Sequence, residues 1–144
     1  MMIIDAHTHI FNRVNGRIGA GATRSLRYGK VRCGDSEIIR LLPPFSGFTS
    51  FPPEVLLEYM DWANVDRAVL LQGPFYGNHN EFVHRAARHW PDRFIGAGYL
   101  DLRSARIRED FKRIFEDFGF HIIKLEMSVT TGFSGLYPDL CLDD

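Results

Sequence analysis

Two histidines one residue apart, His7-Thr8-His9, are the clearest chemical feature of this chain. In a β-strand, residues i and i+2 point to the same side, about 6.5–7 Å apart at Cα. Two imidazoles placed so can converge on one metal ion beyond the strand end. Zinc and related divalent ions take neutral imidazole nitrogens, and catalytic sites keep one position open for water. A water bound there ionises near neutral pH and becomes a nucleophile. The same pair can also be two histidines satisfied by local hydrogen bonds. Asp5 shares their side. It either fixes the tautomer of a ligand histidine or holds the loops at the strand end.

Lys124 and Glu126 repeat the spacing in His121-Ile122-Ile123-Lys124-Leu125-Glu126-Met127. Ile122, Lys124 and Glu126 share one side, and Ile123, Leu125 and Met127 the other. A buried lysine and glutamate need partners, and such groups gather at active sites as well as in structural ion pairs. Lys124 is a candidate to bind a substrate carboxylate or, if modified, to bridge metals. Glu126 is a candidate ligand or proton carrier. Gln72 and Asp101 close two other apolar segments, and His79 lies just beyond the first. Ligands collect at the C-terminal strand edge of parallel α/β folds. These three are therefore candidates for substrate binding. His84 and His89 read as helix-surface residues, and His121 as structural.

The elements that must position these residues can be read from periodicity. Met2 to Phe11 alternates, with Met2, Ile4, Ala6, Thr8 and Ile10 opposite the ionisable side. That reads as a strand lying under helices. Residues 12–51 hold six glycines and Pro43-Pro44 with no sustained period, which reads as one long loop or lid with short local structure. Pro52-Pro53 starts a helix, and Asn64 suits the left-handed residue that ends it. Asp66 to Gly73 reads as a buried strand. Asn78 and Glu81 are spaced like a capping box for a helix that Pro91 stops. Phe94 to Asp101 is a third strand, whose glycines allow close packing beneath a helix. A further helix places Ile107, Phe111, Ile114, Phe115 and Phe118 inward and stops at Gly119. His121 to Met127 is the fourth strand. Alternating strands and helices predict a parallel sheet with helices outside it.

Composition narrows the function classes. The chain has 144 residues, 45% of them hydrophobic, with a net charge of −1. That apolar content argues against disorder, and charge balance argues against a dedicated nucleic-acid binder. No apolar run reaches the ~18 residues of a membrane span, and the first residues lack the basic and apolar regions of a secretory signal. Neither nucleic acid nor membrane is an expected partner. Cys33 and Cys141 form no CxxC and read as free thiols, which makes the cytoplasm the default location. Segment 12–51 is the exception to the charge balance: it carries +5, against −6 for the rest of the chain. It is either a solvated loop or a lid that attracts an anionic substrate.

Ile3-Ile4-Asp5-Ala6-His7-Thr8-His9-Ile10-Phe11 resembles the opening of the amidohydrolase superfamily. The likeness is to its amidohydrolase-2 branch, which includes the aminocarboxymuconate-semialdehyde decarboxylase-like enzymes. It continues through Met60-Asp61, Asn64-Val65-Asp66-Arg67-Ala68-Val69-Leu70, Trp90-Pro91-Asp92-Arg93-Phe94-Ile95-Gly96 and Gly119-Phe120-His121-Ile122-Ile123-Lys124-Leu125-Glu126. Asn64 stands where relatives often have glycine. The resemblance implies a (β/α)8 barrel with its site at the C-terminal strand ends. It implies hydrolysis, hydration or non-oxidative decarboxylation of small, often carboxylated or aromatic compounds. His7 and His9 match the family's first two metal ligands, for zinc first and manganese second. The remaining ligands usually come from the fifth and eighth strands, which this sequence does not contain.

The expected fold is therefore the N-terminal half of a (β/α)8 TIM-type barrel, with four parallel strands and outer helices, over residues 1–144. A whole barrel takes about 250 residues. The expected function is a metal-dependent hydrolase acting on a small, carboxylated substrate through metal-activated water. The alternatives are a non-oxidative decarboxylase and a catalytically incomplete fragment or binding module. An open flavodoxin-like sheet also fits the strand order but not the histidine pair. Half a barrel exposes two strand edges, so a homodimer that completes the barrel is the expected assembly.

Overall fold

The computed structural model describes residues 1–19, 21–102 and 104–126. Met127 of the fourth expected strand and Cys141 lie outside the described residues. In chain order the elements are β1 (Ile4–Thr8), β2 (Arg17–Ile18), β3 (Gly21–Ser25), β4 (Lys30–Cys33) and β5 (Glu37–Arg40). Then come α1 (Pro53–Trp62), β6 (Arg67–Leu70), α2 (Asn80–His89), β7 (Phe94–Gly96), β8 (Gly98–Tyr99), α3 (Ile107–Glu116) and β9 (Ile123–Lys124).

The fold is mixed α/β, with a parallel sheet of order β1-β6-β7 and a parallel pair β8-β9. The expected third strand is split at Ala97. Its first part pairs with β6, and the Ala97 amide still donates to the Leu70 carbonyl at 3.1 Å. From Gly98 onward the bonding turns to the other side, where the Gly98 amide donates to Ile122 O at 2.8 Å. Strands expected to be seven or eight residues long are thus ordered ladders of two to four. Close packing at the glycines holds: a Cβ on Gly98 would lie 2.6 Å from Ile114 of α3.

The helices form where their signals stand. Pro53 opens α1, and Asn64 adopts φ 55° just after it. Leu56 and Met60 are buried against Ile10, Ala68 and Leu70, each worth roughly 1.5–3 kcal/mol of burial. α2 buries Val83 and Ala86. The capping box does not form. The side chain of Asn78 instead accepts the Asn80 amide at 3.1 Å, and Asn80 turns inward. In α3 only Ile114 is fully buried, with Ile107 and Phe118 partly so. Phe111 and Phe115 lie on the exposed flank and stack on each other, ring centroids 4.7 Å apart. Their i, i+4 spacing puts both on one side, away from the stripe that meets the sheet.

Residues 12–51 are not one loop. They carry a four-stranded antiparallel sheet of order β2-β3-β4-β5. Val31 and Cys33 point inward and pack with Phe11 and Val14, and with Ile39, Phe75 and Tyr76 at the margin. Alternation over four residues per strand is too short to register as a sustained period. The turns are supplied by Gly29 and Gly34, both with positive φ.

β1 also departs from expectation. Ile4 is 47% exposed and Met2 64%, and the strand is exposed along most of its length. Among the described residues its one strand partner is β6.

Candidate active site

β1 carries an irregularity just before the histidine pair. It pairs Asp5 with Ala68 and Thr8 with Leu70, three residues against two. This bulge re-aims side chains, as bulges beside active sites do. The Asp5 carboxylate accepts the His7 backbone amide at 2.9 Å and so stabilises the kink. Asp5 therefore supports the backbone here; no bond to either imidazole accompanies this role among the bonds of the site. Thr8 donates its hydroxyl to Val69 O at 3.0 Å and ties the strand end to β6.

The two imidazoles meet beyond this kink. Their Nε2 atoms are 3.2 Å apart, with the rings nearly perpendicular at 76°. Nδ1 of His9 donates to the Leu71 carbonyl at 2.9 Å. That bond leaves the His9 Nε2 as a lone pair. At this distance the Nε2–H tautomer of His7 donates a hydrogen bond to that lone pair, and a cation between the two nitrogens would take the place of the proton. Zinc–nitrogen bonds of 2.0–2.1 Å at a tetrahedral angle give a nitrogen–nitrogen edge of roughly 3.3–3.4 Å. The pair fits two corners of such a site. Burial pulls the His9 imidazole down to about 4, the Leu71 bond and Glu126 partly opposing, Lys124 and His7 assisting. It is therefore neutral at physiological pH, the form a metal takes.

The ring of His9 is held on its face as well. Tyr76 stacks on it at 4.6 Å and 29°, and Phe11 backs Tyr76 at 4.9 Å. Burial raises the Tyr76 phenol above its ordinary value. Tyr76 belongs to the loop after β6, which the segment before β3 clamps. Asn15 N donates to Tyr76 O at 3.0 Å, Arg17 N to Pro74 O at 2.7 Å, and the Thr23 hydroxyl to Phe75 O at 2.6 Å. The approach is close enough to demand glycine: a Cβ at Gly16 would overlap Pro74 O, and Gly77 has φ 97°. The antiparallel sheet thus holds the loop that holds the ring that holds His9. Tyr76 and the Leu71 carbonyl were not readable as site groups. A tyrosine in a Gly-Pro-Phe-Tyr-Gly turn was the available signal.

Lys124 and Glu126 form an ion pair of 2.8 Å, with side chains 18% and 17% exposed. Both charges act on His9, and a Glu126 oxygen lies 3.9 Å from where a Gly73 Cβ would stand. The structure brings these two to the histidine edge.

The other three candidates sit apart. Gln72 is 1% exposed, and its amide is fully engaged within the fold. Its nitrogen donates to Asn80 Oδ1 and Ala97 O, and its oxygen accepts the His79 amide at 2.8 Å. It holds the β6 end to α2 rather than facing a ligand. His79 is also buried, just before α2, with Nε2 3.1 Å from Tyr76 O. Burial lowers its imidazole, with Tyr76 O and the Arg13 backbone opposing. It lines a polar cavity of about 320 Å³ with Arg13, Arg85 and Arg113. Asp101 lines a different cleft, of about 460 Å³, with Arg17 and Arg106. Among the described residues, no group of three or more His, Cys, Asp or Glu side chains is placed to hold a metal.

No protein-family model and no curated protein matches the chain. A solved structure does. It is a probable 2-pyrone-4,6-dicarboxylic acid hydrolase from Acinetobacter baumannii with citric acid bound. The TM-score is 0.49 and the identity 20%. The alignment covers 87% of this chain and 38% of that one, so the chain spans well under half of the protein it resembles.

Proposed function

We propose that this chain belongs to a metal-dependent hydrolase acting on a small carboxylated compound. One observation carries the reading: two imidazole Nε2 atoms 3.2 Å apart at a strand end, one of them fixed as a lone pair by the Leu71 carbonyl. His7 and His9 would hold two positions of a zinc site, with manganese the second choice. Such an ion supplies a water that ionises near neutral pH and a positive centre for a substrate oxygen. The remaining steps belong to the chain's own groups. Lys124 offers a cation for a substrate carboxylate, and Glu126, held 2.8 Å from it, is placed to carry a proton. Tyr76 and Leu71 keep His9 in one tautomer and one orientation.

Metal analysis of the purified protein, made without chelators, tests this. Bound zinc or manganese near one equivalent is expected, and a His7→Ala/His9→Ala variant should lose it. Protein that takes up neither metal at micromolar concentration would overturn the reading. A screen of carboxylated lactones, amides and aromatic acids then separates reaction types. Release of carbon dioxide would select the decarboxylase alternative.

A further inference from the structure

The outward face of the antiparallel sheet is built from cations. Residues directly opposite across a ladder point to the same side. Arg24 stands opposite Arg32, which stands opposite Ile38, and Lys30 stands opposite Arg40. Arg17 stands opposite Ala22, two residues from Arg24 on the same side of β3. All five cations are exposed, while the opposite side of the same strands buries Thr23, Val31 and Cys33. The acids of this segment, Asp35 and Glu37, stand in or beside the β4–β5 turn. Glu37 faces Cys33 on the inward side of the register. Among the described residues none of the five cations forms an ion pair within the fold. Like charges directly opposed destabilise a sheet, so two such pairs weaken the isolated protein.

We propose that this face lies on a membrane surface rich in anionic phospholipid. Several facts select that occupant. Arg24, Lys30, Arg32 and Arg40 spread over a sheet face, with Arg17 at the rim of the cleft that Asp101 lines, and such a spread suits many shallow headgroups better than one small anion. Ile38, 52% exposed, stands among them, and Tyr28 and Phe48, 52% and 66% exposed, stand at one end of the face. Apolar side chains beside cations are what enters the headgroup boundary. A single strand of nucleic acid needs rings interleaved with the cations on which successive bases can stack, and the rings here, Tyr28 and Phe48, stand only at one end of the face. The remaining −6 charge of the chain is repelled by such a surface, which orients the molecule with this sheet towards it. No described helix is long and apolar enough to cross a membrane, and surface binding needs none. The proposal is independent of the metal-site reading.

Co-sedimentation of the whole chain with vesicles tests it. Vesicles of phosphatidylcholine with one-third phosphatidylserine should pull the protein down, and pure phosphatidylcholine should not. Binding should disappear in half-molar salt. An Arg24→Gln/Arg32→Gln variant should bind at least tenfold more weakly, since each cation near such a surface contributes roughly fivefold. Its thermal midpoint should be unchanged or raised, because a repulsive pair is removed. No sedimentation with anionic vesicles, equal sedimentation with neutral ones, or an undiminished variant would each overturn the proposal. Preference for soluble heparin, polyphosphate or single-stranded RNA over the vesicles would overturn it too, and would assign the face to a free polyanion.

Discussion

His9 is fixed on two sides, and the two restraints can be separated by substitution. The Leu71 carbonyl sets the tautomer, and the Tyr76 ring sets the plane. An aromatic pair is worth about 0.5–1.5 kcal/mol beyond its area. At the proposed zinc site, Tyr76→Ala should therefore weaken metal affinity by roughly two- to tenfold, while Tyr76→Phe keeps the stack and should leave affinity nearly unchanged. Competition titration against a chelating dye measures both. Asn80 allows a sharper stability prediction. Its side chain accepts the Gln72 amide and the Tyr99 amide, and donates to the Tyr99 carbonyl at 2.9 Å. Asn80→Ala removes these three bonds, although the Gln72 amide keeps the Ala97 carbonyl, and should cost about 2–4 kcal/mol, at roughly 1–3 kcal/mol for each bond lost by a buried group. Urea unfolding checks it. The histidine pair was readable because its chemistry lies in residue type and spacing. The roles of Tyr76 and Asn80 were not, because each depends on a loop folding back against a distant segment.

Between β6 and α2 the chain makes a turn whose conformation rests on glycine and on a neutral histidine. Gly77→Ala meets both a positive φ and Asn15 Oδ1 at 2.5 Å. It should destabilise the protein by more than ~1 kcal/mol and loosen Tyr76 from His9. His79 makes the same turn sensitive to pH. Its imidazole is lowered by burial, so the folded protein binds its proton less readily than the unfolded chain. Its contribution to stability is full above the ordinary value near 6.5 and falls as pH drops below it. Denaturation midpoints between pH 7.5 and 5.5 should show a decline that His79→Gln reduces. The parallel strands and three helices followed from periodicity and from Pro, Asn and Gly punctuation. The antiparallel sheet escaped the same reading. β4 alternates over only Lys30-Val31-Arg32-Cys33, and β2 is two residues long. With one side charged and the other closed over a few residues of Phe11 and Tyr76, such strands resemble loop in sequence. The bulge in β1 was equally hidden, since it appears only in the register against β6.

The parallel strands leave a free edge at β1, and that edge is apolar. Ile3 and Ile4 are 42% and 47% exposed, and β1 pairs among the described residues with β6 alone. At the other side of the sheet Ile122 and Leu125 flank β9, also exposed. An exposed apolar strand edge is a template for another strand. A two-fold axis along the strand direction keeps strands parallel, so β1 of one copy could run beside β9 of another. Light scattering should accordingly show a dimer, and Ile4→Lys, which puts a charge into the apolar edge, should shift it towards monomer. A monomer at every concentration would remove the assembly. A dimer that survives Ile4→Lys would move the contact to another face.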